Sequence, residues 1–146
     1  ACVVGGVRLR GAHGNAGSLA HINVDPDGPE CWCGARGCLA IYATSTAIER
    51  EQVRPLRRAT PSIVERTGMM VGRAIASAVA LFDVSTVLYS GVIVDTFGEA
   101  MVEPMRRELV ARARLPGLAD LRTIEMSDTG AALIGAAALA RTGSPG

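Results

Sequence analysis

The sequence predicts an α/β fold, a mixed sheet flanked by helices, and three observations predict it. The first 24 residues carry three extended apolar runs joined by glycine-rich stretches, the pattern of an antiparallel meander. From residue 60 onward strands and helices alternate, which calls for parallel pairing through crossover helices. Of the 146 residues, 49% are hydrophobic, and no run approaches the ~20 needed to span a bilayer. A chain of this length and composition suits one domain with a proper core.

The elements follow in order. Cys2-Val3-Val4 and Val7-Arg8-Leu9-Arg10 flank Gly5-Gly6, a hairpin with a two-residue turn. Gly11 to Gly17 is a glycine-rich loop, in which His13 reads as a bystander. Ser18 to Val24 is a third strand, ended by the turn residues Asp-Pro-Asp-Gly. After Cys38, apolar residues at Leu39, Tyr42, Ala43 and Ala47 have helical spacing. Arg54 to Ala59 is a Pro-broken, charged stretch with solvated arginines.

Thr60 suits an N-cap and Pro61 the first helical position of a long helix to Phe82. That helix is apolar on two faces, one through Ile63, Met70 and Ala74, the other through Val64, Val71, Ile75 and Val79. It should pack on the sheet and offer what remains to another subunit. Its methionines read as core filler. Ser85 to Gly91 is a short buried strand; Asp95 caps the next helix, which Pro104 should kink or divide. Leu121 to Met126 is a strand, and a small-residue helix capped by Ser127 or Asp128 closes the chain before the tail at 143–146. This order, a three-strand meander followed by strand–helix alternation, is ribonuclease-H-like.

Formal charge is +1, all 15 basic residues are arginine, and aromatics make up 3%. A nucleic-acid binder carries a basic stripe and often stacking platforms, so neither totals nor composition point there for this segment. No charged-then-apolar leader opens the chain, and a cytoplasmic, membrane-free protein is expected. The opening residues are already strand-like, which is expected of a piece of a longer protein.

Three of the four cysteines and one of the two histidines fall within "HINVDPDGPECWCGARGCLA", His21 to Ala40. Cys31, Cys33 and Cys38 have the spacing C-x-C-x4-C, with His21 ten residues before the first. One nitrogen and three sulfurs suit tetrahedral zinc, and four protein ligands leave no open position for catalysis. Gly34 and Gly37 would let the backbone reach positive φ between ligands. The other reading is a Cys31–Cys38 disulfide or free core thiols. Cys2, alone in a strand, reads as a small buried residue.

The stretch "GAHGNAGSLAHINVDPDGPECWCGARGCLA" resembles the signature of the ROK family of sugar kinases, sugar-responsive repressors and open reading frames. The matching pattern is a glycine-rich entry, Glu-x-Gly-His, then Cys-x-Cys-Gly-x-x-Gly-Cys-x-Glu. "VLYSG" resembles the family's strand and glycine turn near the adenosine, and "SDTGAALIGAAALA" its terminal helix. The likeness covers nearly the whole chain, residues 1–142, as the C-terminal lobe of a ROK-type protein. It implies an actin-like ATPase half, a structural zinc held by His21, Cys31, Cys33 and Cys38, and a sugar pocket at Ser18, His21 and Ala40. It also implies nucleotide contacts at Gly5, Gly6 and Gly91.

This sequence departs from the pattern at the sugar. The glutamate three before the histidine is Ser18, the glycine before the histidine is Ala20, and the glutamate two after the last cysteine is Ala40. Each lost charged hydrogen bond to a sugar hydroxyl is worth about 1.5–3 kcal/mol. The paired glycines of the second glycine turn are Ser90-Gly91. The phosphate loop and catalytic aspartate of a ROK kinase belong to an N-terminal lobe absent from these residues, so this segment cannot transfer phosphoryl groups by itself. The first expectation is the effector and dimerisation region of a sugar-responsive repressor, a homodimer reaching DNA through a helix-turn-helix ahead of this segment. The alternatives are the C-terminal lobe of an ATP-dependent sugar kinase, or a non-catalytic zinc-stabilised dimerisation domain.

Overall fold

The computed structural model describes residues 2–4, 7–116 and 120–126. Strands β1 (Cys2–Val4) and β2 (Val7–Leu9) pair antiparallel in the register Cys2↔Leu9, Val3↔Arg8, Val4↔Val7, as the two-residue turn requires. Residues 5 and 6 themselves, the side chain of Cys2, the terminal helix expected after Met126 and the tail lie outside the described residues.

The expected meander stops there. Ser18 to Val24 is not a strand; it turns, and only Asn23 makes a bridge, to Cys38. Its backbone groups go instead to the cysteine segment, through Val24 N–H to the Gly37 carbonyl (2.8 Å), Leu39 N–H to Ile22 (2.9 Å) and Ala40 N–H to Ala20 (2.8 Å). Among the described residues the sheets are therefore two separate pairs, not one mixed sheet with three antiparallel strands. The second pair, β3 (Thr86–Tyr89) with β4 (Arg122–Glu125), is parallel in the register Thr86↔Arg122 to Tyr89↔Glu125.

The helical run after Cys38 is also split. Leu39–Ile41 is a single 3-10 turn, and helix α1 (Ser45–Gln52) starts afresh because the Thr44 side chain accepts from the Ala47 amide. The arginines of the following stretch, Arg54, Arg57 and Arg58, are exposed as expected.

Helix α2 (Pro61–Phe82) is capped by Thr60 and opened by Pro61, both as read from sequence. Its main partner is not the sheet. It packs along helix α4 (Glu99–Arg112), with Gly68 against Met101 and Met105, and Gly72 against Met105 and Leu109. Residue numbers rise together along the contact, so the two helices run in the same direction. Met101, Val102, Met105, Leu109 and Val79 are all at most 1% exposed, and such burial contributes about 1.5–3 kcal/mol per side chain. Tyr89 of β3 closes one side of this core.

Asp95 does not cap α4; it lies inside a separate short helix, α3 (Val92–Phe97). The break between α3 and α4 is at Gly98, whose φ of 54° no ordinary residue adopts readily. Pro104 does not divide α4, which runs through it. Proline removes the bond to the Ala100 carbonyl, and Ala100 is exposed, so water is at hand to replace it.

Candidate metal centre

The segment 20–24 lies antiparallel to 37–40 through the three backbone bonds above, and this places His21 beside Cys38. The intervening loop folds back on itself at the bridge Glu30↔Arg36. Cys31 N–H donates to Ala35 (2.7 Å) and Gly34 N–H to Cys31 (2.9 Å), a tight knuckle that sets Cys31 and Cys33 on one side. Gly34 and Gly37 take φ of 89° and 63°, the freedom expected of them. At Gly37 a β-carbon would also run into the Asp25 carbonyl, so only glycine fits between the two arms of the loop.

The four expected ligands converge. The ligand atoms of His21, Cys31, Cys33 and Cys38 all lie within 4.8 Å of one another. His21 Nδ1 is 3.7 Å from Cys31 Sγ, and the Cys33 and Cys38 sulfurs are 3.7 Å apart. A tetrahedron with Zn–S of about 2.3 Å and Zn–N of about 2.0–2.1 Å has edges of roughly 3.5–3.8 Å, so both separations are those of a zinc shell. They are far beyond the ~2.05 Å of a disulfide, and the three thiols are free. The cluster is consistent with a zinc site.

Its electrostatics differ from one thiol to the next. Burial pushes the Cys38 thiol up to about 12, with Cys33 next in effect. The Ala35 amide holds the exposed Cys33 below its ordinary value. At neutral pH Cys38 keeps its proton unless a metal displaces it. Held by these four side chains, a zinc ion would have no open position, and it would supply a clamp, not a Lewis acid open to substrate. His21 reaches the sulfur cluster through Nδ1, and coordination there would leave Nε2 for a second partner.

A profile of the ROK family matches residues 1–143. The chain belongs to the ROK family. The crystal structure of a ROK family transcriptional regulator, homologue of the Escherichia coli MLC protein, superposes with a TM-score of 0.73 at 28% identity, over 92% of this chain and 40% of that one. The DNA-binding transcriptional dual regulator NagC of E. coli K12 is 28% identical over 58% of this chain and 27% of its own length. The glucokinase of Streptomyces coelicolor is 29% identical over 98% of this chain and 56% of its own. Repressors and kinases thus both stand among the ROK relatives, and this chain spans about a quarter to just over half the length of these two curated proteins.

The ROK sugar positions differ in burial. Ser18 is exposed, its amide bonded to Asn15, whereas Ala40 is 2% exposed with its amide on Ala20. Gly91 adopts φ 122° ahead of α3, and the other glycines expected near a nucleotide, Gly5 and Gly6, lie outside the described residues.

Supports for the ROK metal loop were not legible as such. The Tyr42 hydroxyl donates to Asp25 Oδ2 at 2.7 Å, Arg73 reaches from α2 to the Val24 carbonyl at 2.9 Å, and the Trp32 ring stands edge-on to His21 at 5.5 Å. The turn signal at Asp25 and the apolar spacing of Tyr42 were visible, but their pairing across 17 residues was not.

Proposed function

We propose that this chain is the effector and dimerisation region of a sugar-responsive ROK transcriptional repressor, with zinc as a structural clamp beside a degenerate sugar pocket. The reading is carried by Ser18 and Ala40 at the two carboxylate positions. Ala40 is buried, so its site offers a methyl group to the core where an acid would face sugar hydroxyls. A kinase needs those hydroxyls held for attack, and it loses about 1.5–3 kcal/mol for each charged bond removed. A repressor released from catalysis does not. The regulator whose structure superposes over 92% of this chain supports the same reading.

A second reading, the C-terminal lobe of an ATP-dependent sugar kinase, is favoured by the glucokinase alignment over 98% of this chain and by a ROK hexokinase structure that covers 82% of it. The full-length protein distinguishes them. The repressor retards a DNA fragment from upstream of its own gene and forms no hexose phosphate from glucose and ATP. Steady production of hexose phosphate overturns the proposal.

The dimer is part of the proposal. Leu81 (76% exposed), Phe82 (48%) and Val110 (67%) leave apolar surface at the C-terminal ends of α2 and α4. Light scattering at high micromolar concentration should give twice the monomer mass; a monomer counts against it. Cytoplasmic location belongs to the same proposal, since free thiols suit a reducing compartment. No helix among the described residues is long and apolar enough to cross a membrane.

A further inference from the structure

Trp32 is 67% exposed although it sits between Cys31 and Cys33, on the hydrogen-bonded knuckle of the loop. Its ring is braced edge-on by His21, at 80° between planes. An exposed indole offers its face to a flat apolar surface. It forms one wall of a cavity of about 720 Å³ between the metal loop, α1 and α2. That volume lies within the usual range of small-molecule sites.

Ile41 adds apolar lining, and four charged side chains share it: Glu30, Arg50, Glu51 and Arg66. Glu51 and Arg66 are closed on each other by two hydrogen bonds. Glu30 and Arg50 make no ion pair among the described residues. The charges sum to zero, so the cavity has no net attraction for an anion. What it offers is one aromatic face, one free acceptor and one free double donor. None of Ser18, His21 or Ala40 lines it.

We propose that this cavity is a binding site for a neutral pyranose, separate from the family's sugar position. The apolar C–H face of the ring stacks on Trp32, and its hydroxyls donate to Glu30 and accept from Arg50. The metal clamp then has a role beyond stability, since it holds the platform. The inference does not rest on the repressor reading, and DNA retention by the full-length protein is unaffected by its failure.

Trp32 is the only tryptophan of the 146-residue chain, so its fluorescence reports the cavity directly. The zinc-loaded chain is titrated with glucose, N-acetylglucosamine, glucose 6-phosphate and adenosine. A saturable change is expected with a neutral sugar, with glucose 6-phosphate at least tenfold weaker. Calorimetry then compares the parent with Trp32→Ala, Glu30→Gln and Arg50→Ala. All three side chains are exposed, so the melt should hold while binding is lost in the first and falls about tenfold in the others. Tighter binding of adenosine or the phosphate, no saturable response to either sugar, or sugar affinity equal in all three variants overturns the site.

Discussion

A β-carbon on Gly68 would stand well inside contact distance of the Met101 carbonyl oxygen, and one on Gly72 would stand 2.5 Å from that of Met105. These two glycines, four apart on α2, form the groove into which the α4 backbone descends. Helix propensity alone makes Gly68→Ala stabilising by about 0.8–1.0 kcal/mol. Overpacking a close backbone contact costs about 1–3 kcal/mol. The contact is with backbone that cannot rotate away, so overpacking outweighs propensity and the variant should melt several degrees lower. A melting temperature at or above that of the parent chain would mean the two helices do not approach this closely.

Removing a ligand should release the clamp. Cys33→Ser should bind less than one equivalent of zinc by elemental analysis and melt far below the parent, because metal-binding energy is folding energy here. A chelator should lower the melt of the parent in the same way and leave the variant almost unmoved. An equal melt for the two proteins would make the loop ornamental.

Val53 ends α1 with φ 54° and is 87% exposed. A left-handed conformation costs an ordinary residue about 1–2 kcal/mol and a β-branched one no less. Glycine relieves it but loosens the unfolded chain by about 0.4–1 kcal/mol. Nothing is lost in packing, so Val53→Gly should stabilise by up to about 1 kcal/mol in urea unfolding. A loss of stability would show that Val53 is not strained.

Arg73, then Arg112, holds the Glu108 carboxyl below the usual glutamate range. A carboxylate depressed in the folded state stabilises fully above its unfolded value, near pH 4.3, and that contribution fades as pH falls through the lower folded value. Glu108→Gln should therefore lose stability at pH 7 and differ little from the parent near pH 2. An equal deficit at both pH values would assign the effect to packing instead of charge.

Much of the site was legible because metal ligands declare themselves by type and spacing. C-x-C-x4-C with a preceding histidine admits few folds of the loop, and all four ligand atoms meet. Cap chemistry was equally local, so Thr60 and Pro61 opened α2 where expected. Asp95 misled because an acid near an apolar run suits a cap, while the actual break came from the backbone freedom of Gly98 one turn later.

The sequence by itself determined the His21/Cys31/Cys33/Cys38 cluster, the long buried helix and the first hairpin, since each rests on interactions within a few residues or on periodicity. Only the tertiary structure decided that residues 18–24 serve the metal loop instead of a sheet, that α2 lies in a glycine groove on α4, and that Trp32 faces an open cavity. Alternating apolar residues satisfy a strand or a loop pinned by a neighbour equally well. Which partner takes their amides is settled by chain segments a dozen or more residues away, and no local pattern encodes that choice.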